Sequence, residues 1–553
     1  KTYTETITLV AGEAKEVNHR LGSETVKVTA VTESGKAVRV KVDPISTTKV
    51  SVMAKENAEN VTLTIITQDP NKRSAAETAM DMTAYFGTMI RKVQATYRNT
   101  TSVTVPGFAP QAGFMGQTKY NDLYAPGFDF AFGFFQDDFV DKAKENGWLS
   151  GDTTVVQPAS RTMTHDFDVK VSLEPFPGFK VQLNGKRYAA QSSSIIYSYD
   201  QLQENMTGSF NITQVALATA FHKVGSADEN FASATFMQFL ENRNLMASRV
   251  QAQYEGLYYP TTGFIPAALQ GKQYDRKNGA INSNSADVLV PAFLAAYTGR
   301  DANQLSLNPF LGLLSVLPNW SLTFDGLGRL PWMRDHFKSV NITHAYTCKY
   351  AISSYSSYST WVPATTLDNK QIGFIRDIET ENPIPSSAYD ISSVNLSETF
   401  SPLIGLNMTM KNSLSAKVEY RKQRNISLNV NSVQITEGHT NEFVIGAGYT
   451  IKDLSFIAKS REGQKKVSND LKINVDVSYK DIKTLLRKVE EGITQASSGN
   501  KVFGVKISAD YVLSQKINLQ LFYDHQGTTP LISSSYPVKA DNVGINIKLM
   551  LTR

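Results

Sequence analysis

The side chains with obvious chemical potential are few and scattered. His336 and His344 stand eight residues apart in "HFKSVNITH". No acidic helix accompanies them, so the histidine pattern of a zinc hydrolase is missing and each reads as a structural or surface residue. Asp137-Asp138 in "FFQDDF" could serve as paired carboxylates for acid/base work, but they fall at the end of an apolar run and read as solvated loop acids. "GAGY" (446–449) lacks the full Gly-x-Gly-x-x-Gly pattern and lies within a strand-like run. It therefore reads as small residues where another backbone approaches one sheet face, rather than as a phosphate-binding turn. Asn-x-Ser/Thr triplets begin at Asn205, Asn211, Asn341, Asn407 and Asn425. Strands alternating Asn, Ser and Thr with apolar residues generate such triplets by accident, and no glycosylation follows. No constellation for catalysis, metal binding or a cofactor emerges, and the chain reads as a non-enzyme.

Composition narrows the classes further. The 553 residues carry 56 basic and 51 acidic side chains for a net charge of +5. They form no Lys/Arg block, so there is no electrostatic footprint for nucleic acid. The sole cysteine, Cys348 in "HAYTCKY", rules out an internal disulfide framework and a cysteine-based zinc site, and reads as a strand residue. The longest apolar runs, "DVLVPAFLAAY" and "FLGLLSVL", are too short to cross a bilayer as a helix. A helical membrane protein is excluded. A membrane β-barrel is not, because its strands need only about 9 to 11 alternating residues. The opening "KTYTETITLV" carries neither an initiator Met nor a signal peptide, and reads as a mature or truncated piece.

Residues 1–69 contain short valine-rich alternations, "VKVTAV", "VRVKV", "VSVMA" and "VTLTII", between turn signals. They predict a small β-sandwich-like domain. "SAAETAMDMTAYFGTMIRKV" has helix formers with apolar spacings of three and four, predicting a helical connector over 70–92. From residue 93 the texture changes to longer strands rich in Tyr, Phe, Asn, Ser and Thr. Roughly sixteen candidates are expected. Among them are "FDFAFGFF" (128–135), with Phe128, Phe130, Phe132 and Phe134 on one face, "GSFNITQVALATAF", and two runs about a Glu-Pro-Phe-Pro-Gly turn in "FDVKVSLEPFPGFKVQLNGKRY".

The clearest alternation is "LIGLNMTMKNSLSAKVEYR" (403–421). Ile404, Leu406, Met408 and Met410 share one parity; Asn407, Thr409 and Lys411 take the other, and Lys417 and Glu419 follow them beyond the turn. A strand built this way has one greasy and one wet face. The apolar parity continues through Ile426, Leu428 and Val430, which makes one long strand with the cationic "RKQRN" near an interface as plausible as a hairpin. Tyr420, Tyr449, Tyr479 and Tyr523 fall at strand ends, where a barrel carries its aromatic girdles. Tight links are expected at 411–413, 452–453 and 514–516, and a long polar loop at 525–541. Residues 454–470 would then form a sizeable excursion at the short-turn side. Short turns beside long loops are the habit of outer-membrane barrels.

Several long strings resemble the SprA/Sov family, the outer-membrane translocon of the Bacteroidota type IX secretion system. They are "NSNSADVLVPAFLAAYTGRDANQLSLNPF", "LPNWSLTFDGLGRLPWMRDHFKSVNITHAYTCKY", "DISSVNLSETFSPLIGLNMTMKNSLSAKVEYRKQRNISLNV", "NEFVIGAGYTIKD" and "ISADYVLSQKINLQLFYDH", with "VSLEPFPGFKVQLNGKR" and "ENGWLSGD" upstream. The resemblance covers residues 80–553, and more loosely the first 70 through "EVNHRLGSETVKVTA". It implies an all-β fold, the C-terminal part of a very large transmembrane antiparallel β-barrel spanning residues 93–553, in the outer membrane. It further implies a conduit for folded cargo proteins bearing a C-terminal signal domain. A PorV-like barrel of the FadL type and a plug protein are the partners it implies, and no cofactor is expected. On this reading Ile404, Leu406, Met408 and Met410 face outer-membrane lipid, while Asn407, Thr409, Lys411, Lys417 and Glu419 line an aqueous lumen.

Two other classes share the alternation. A TonB-dependent or porin-like nutrient barrel would be favoured by a plug domain and a TonB box, neither of which this chain offers. A soluble array of β-sandwiches acting as an adhesin would stay in solution when membranes are pelleted.

Overall fold

The computed structural model describes residues 2–23, 25–67, 88–111, 113–134, 138–150, 157–196, 203–364, 372–460, 463–514, 517–532 and 535–549. The chain forms two compact units, Lys1–Met89 and Ile90–Arg553. The expected helix over 70–92 falls largely on residues 68–87, outside the described ones.

Among the described residues of the first unit seven strands, β1 (Thr2–Leu9), β2 (Ala14–Asn18), β3 (Val26–Thr32), β4 (Ala37–Val38), β5 (Val40–Ser46), β6 (Lys49–Ala54) and β7 (Ala58–Thr67), make two sheets. Their orders are β1-β7-β3-β4 and β2-β6-β5. Alternate residues of both sheets, Leu9 and Leu63 from one and Val17, Val50 and Val52 from the other, meet in a single buried core. This is the small sandwich that the valine alternations predict.

The second unit is built on one antiparallel sheet of 13 strands. They are β8 (Ile90–Thr104), β11 (Ala159–Phe176), β12 (Phe179–Ile196), β13 (Gln203–Thr213), β14 (Asn319–Phe324), β15 (Phe337–Ser357), β19 (Tyr389–Met410), β20 (Leu414–Asn429), β21 (Gln434–Ser460), β22 (Gly463–Lys488), β23 (Ile493–Ser514), β24 (Ile517–Pro530) and β25 (Val538–Leu549). Small side sheets come from β9 (Thr118–Tyr120) with β10 (Leu123–Ala125), and from β16 (Val362–Pro363), β17 (Ile372–Arg376) and β18 (Pro383–Ser387). The main strands follow one another in space as they do in sequence, from β8 to β25. Among the described residues β8 and β25 have no outer neighbour, so the sheet has two open edges.

One track is shared. Residues 187–196 of β12 pair with β13, and Phe179–Asn184 pair with β14, so β13 and β14 lie end to end between β12 and β15. The chain leaves this track at Thr213 and rejoins it at Asn319, where the Leu317 N–H donates to the Thr213 carbonyl at 3.2 Å. The intervening segment is a helical lobe with α3 (Leu217–Ala220), α4 (Ala234–Tyr254) and α5 (Ala286–Thr298); α1 (Phe128–Ala131), α2 (Phe139–Glu145) and α6 (Pro331–His336) lie elsewhere in the unit. The run "DVLVPAFLAAY" is α5, buried on every side, as a helix apolar all round must be. Ser233 starts α4 by accepting from the Phe236 N–H. The lobe packs against residues of β13, β15, β19, β20 and β21 in the largest buried core of the molecule.

Four expectations about elements need correction. "FDFAFGFF" is no strand: Phe128–Ala131 form one helical turn, ended by Gly133 in the left-handed region, with Phe130 against Phe139 at 4.7 Å. "GSFNITQVALATAF" is strand only to Thr213 and then turns into α3. Lys452-Asp453 is an irregularity in the register within β21, not a link, because β21 and β22 stay paired out to Ser460 and Gly463. The loop expected over 525–541 shrinks to 531–537, since β24 and β25 pair as far as Thr528 and Val538. The expected link at 411–413 joins β19 to β20, while that at 514–516 falls on residues 515–516, outside the described ones, with Ser514 opposite Ile517.

Candidate functional site: a two-faced sheet

Partners directly opposite in an antiparallel ladder share a face. The registers therefore sort the main sheet into two surfaces. On the first, Leu406 lies between Ile342 and Val418, Val418 beside Ile445, then Val477 and Val505. In the other direction the surface runs through Leu322, Val181 and Leu173, and includes Val93, Ala95 and Tyr97 of β8. Most of its aliphatic side chains stay in reach of solvent, with Ile404 65% exposed and Ile445, Ile545 and Ile547 also exposed. From Phe443 to Ile451 this belt rises roughly 26 Å at about 3.3 Å per residue.

Aromatic rings bound the belt. Tyr420, Phe443, Tyr479 and Phe503 form a row across four successive strands, each 36–45% exposed. Toward β14 the row is extended by Phe400, Tyr346 and Trp320, with centroids 4.9 and 4.4 Å apart in turn. At the opposite end Phe176, Phe179 and Phe324 cluster beside the turn between β11 and β12. At β24–β25 polar groups enter the belt: His525 Nδ1 lies 2.7 Å from Asp541, which also accepts from the Tyr523 hydroxyl at 2.8 Å.

The second surface is mainly polar, with Val444, Val502 and Phe522 as apolar exceptions. Asn341, Asn407 and Lys417 face one another in line, and Thr409 pairs with Ser415. Glu419 is buried between Lys417 Nζ at 3.0 Å and Arg421 at 2.6 Å, and Arg421 reaches on to Glu442 at 3.3 Å. Lys186 with Asp166 and Lys506 with Asp524 continue the pattern across other strands. Gly446 and Gly448 belong here. A Cβ at Gly446 would strike the Asp476 carboxylate, and one at Gly448 the Ser415 and Asn474 side chains, so these glycines make room for polar neighbours.

The residues singled out by alternation thus separate cleanly. Ile404, Leu406, Met408 and Met410 share the apolar face; Asn407, Thr409, Lys417 and Glu419 share the polar one. Lys411 lies just past the end of β19, exposed in the turn with Asn412. His344 is wedged in the strands, accepting from Trp320 Nε1 at 3.1 Å and with Nδ1 2.6 Å from the Leu403 carbonyl, while His336 is exposed at the end of α6. Asp138 pairs with Lys142 at 3.3 Å, and Asp137 lies outside the described residues. Cys348 is a buried free thiol in β15. No group of three or more metal-ligating side chains occurs among the described residues.

Beyond the aromatic row the apolar face changes partner, and the helical lobe covers it. Two buried ion pairs fasten the lobe. Arg424 meets Glu398 through Nε and donates to the carbonyls of Ala216 and Thr219, each at 3.0 Å, while the Tyr346 hydroxyl donates to Glu398 at 2.6 Å. Arg487, with no exposed surface, lies 2.7 Å from Glu437 and donates to the Phe231 carbonyl at 3.0 Å; the Tyr297 hydroxyl of α5 donates to Glu437. Sequence reasoning missed these four. Their signal was a charge at a position of apolar parity: Glu398 between Leu396 and Phe400, Arg424 before Ile426, Glu437 after Ile435, Arg487 after Leu485.

The longest connections share one end of the sheet. The lobe and the links from β8 to β11 and from β15 to β19 belong there, beside the short turns 430–433 and 489–492. Residues 177–178, 325–336 and 411–413 close the other end, from which the paired extension of β21 and β22 projects.

The geometry defines the class: an all-β protein whose main body is a large antiparallel sheet with one apolar and one polar face. No protein-family model matches the chain, and no curated protein matches it. Among solved structures it is similar to OmpT, an outer membrane protein of Vibrio cholerae (in-vitro folded, trimer form), at 8% identity over 71% of this chain and 96% of that one. The TM-score of 0.17 is too low to weigh, and the fold rests on the strand pairing itself.

Proposed function

We propose that the main sheet is a wall segment of an outer-membrane β-barrel, its apolar belt against lipid and its polar face lining a wide aqueous lumen. The observation that carries this reading is the exposed belt, flanked by aromatic rings, that runs along one face of the sheet as far as β23, with a mainly polar surface behind it. A barrel's lipid-facing band is about 25 Å tall and flanked by such girdles, and its long loops lie outside the cell. The lobe and segments 105–158 and 358–388 would then be extracellular, and the turn at 411–413 periplasmic.

Open edges add a constraint. Unpaired backbone in hydrocarbon costs several kcal/mol per group, so a spanning sheet needs strands against β8 and β25. Together with the resemblance to SprA/Sov, this supports a very large barrel. Barrel diameter grows with strand number, and a conduit for folded proteins needs many strands. The function inferred is type IX export of folded cargo through that pore, with a FadL-type barrel and a plug protein as partners. Such transport needs no catalytic residue in the wall.

Cysteine labelling tests the two faces. In a background lacking Cys348, Thr409→Cys should react with a water-soluble maleimide, and Met408→Cys only with a lipid-soluble one. Equal reaction of both with the water-soluble reagent rejects the membrane wall. For the export role, the protein purified from native membranes should bring a FadL-type barrel, a plug subunit or signal-bearing cargo. Recovery without any of them counts against the translocon and leaves a nutrient barrel.

A further inference from the structure

We propose that the lipid side of the wall, just beyond the aromatic row, is a docking surface for phosphate-bearing headgroups of the outer leaflet, with the helical lobe resting on it. The inference rests on the membrane reading and extends it to a specific lipid contact.

Register fixes the height. The next residues on this face beyond the Tyr420–Phe443–Tyr479–Phe503 row are Lys422, Asn441, Asp481 and Lys501, while Lys539 of β25, opposite Gly527, stands level with Phe503 at the end of the row itself. Among the described residues no carboxylate forms an ion pair with Lys422, Lys501 or Lys539, although Glu398 and Asp541 lie near enough to act on Lys422 and Lys539, and Lys501 and Lys539 are exposed. Asp481 is the acid of this row; its one ion-pair neighbour is Lys483, at 3.9 Å, and one of its oxygens is buried without a hydrogen-bond partner. Basic side chains thus outnumber acidic ones where a headgroup layer would meet the girdle.

The lobe reaches the same level. Phe221, just after α3, packs on Phe400 with centroids 5.4 Å apart, and Lys422 Nζ lies 5.7 Å above its ring. The ring is nevertheless 57% exposed, beside exposed His222 and Lys223. An exposed aromatic with lysines next to a girdle fits the boundary between acyl chain and phosphate, where rings insert and ammonium groups meet anions. The acids of this loop, Asp228 and Glu229, follow farther along, and Glu229 is engaged in capping Ser226. Continuity with the belt and the excess of positive charge both select an anionic, phosphate-bearing glycolipid surface of the lipid A type.

The test uses the full-length protein from native membranes, reconstituted in nanodiscs of phosphatidylcholine with and without diphosphorylated lipid A. Native mass spectrometry counts the retained lipid. Basic residues at an anionic surface contribute about fivefold each. The triple variant Lys422→Gln, Lys501→Gln, Lys539→Gln should lower lipid A retention by about a hundredfold and leave phosphatidylcholine unchanged. A matched triple on the polar face, Lys472→Gln, Lys506→Gln, Lys548→Gln, should retain lipid A like the parent. Equal losses in the two triples, no loss in the first, or displacement of lipid A by inorganic phosphate alone would overturn the docking surface. A parent protein that inserts and labels as a barrel but retains no lipid A refutes this inference only; one that fails to insert refutes the membrane reading beneath it.

Discussion

Arg487 is held by its partners so completely that none of it meets solvent, and the same holds nearly for Arg424 and Glu398. Removing one member of such a pair strands the other charge, at a cost of about 3–5 kcal/mol, whereas replacing both by apolar side chains of like volume is often neutral. Arg424→Ala should therefore loosen the lobe, seen as proteolysis within 214–318 at lower temperature. Arg424→Met combined with Glu398→Leu should restore resistance. On the belt the sign of the environment reverses: Met408→Arg puts a charge against lipid and should cost about 2–4 kcal/mol in unfolding from bilayers, while Thr409→Arg on the polar face should cost under about 1 kcal/mol. At this scale the sequence was readable wherever alternation was unbroken, as from Ile404 to Met410. It misled by silence at Glu398 and Arg487, because a charge on an apolar parity looks like a solvated exception until the lobe that buries it is known.

The lobe itself was the least legible element. Its residues interrupt a strand track, and nothing in "FNIT" or "NWSLTF" announces that the two segments share one hydrogen-bonding line 105 residues apart; that follows from β12 pairing with both. The spacing Phe236, Phe239, Met246, Val250, Tyr254 after a Ser cap did carry a helical signal for α4, hidden by the polar residues between. Wall strands were easier, since period-2 patterning persists over many residues, and their ends were misjudged where pairing overrode turn chemistry, as at Lys452-Asp453. Within the lobe, Asp287 in the first turn of α5 has its carboxyl held above the usual range by burial, against the opposing Ser387 N–H at 2.9 Å. A folded value above the unfolded one means the protonated form suits the fold. Stability tied to it is whole below about pH 4 and falls as pH rises through the folded value. Asp287→Asn, which can still accept from Ser387, should raise the melting temperature of the lobe at neutral pH and leave it unchanged near pH 3.

For the whole molecule the decisive feature is the pair of edges. Thirteen strands occupy twelve tracks, because β13 and β14 share one, and β8 and β25 present backbone donors and acceptors with no partner among the described residues. Long, exposed edges template further pairing, and the belt beside β25 is broken by His525 and Asp541, so that end of the sheet is not plain lipid-facing surface. Residues 90–553 expressed alone in detergent should therefore associate through these edges, forming species larger than a monomer by sedimentation, with slow hydrogen exchange at β8 and β25 amides only in the associated form. Adding strands that complete the wall should return the segment to a single stoichiometric complex and protect both edges. A monodisperse monomer whose β8 and β25 amides are already protected would mean that the two edges pair with each other. The twelve tracks would then close a barrel of ordinary width, too narrow for a folded cargo, and the porin-like reading would take the place of the translocon.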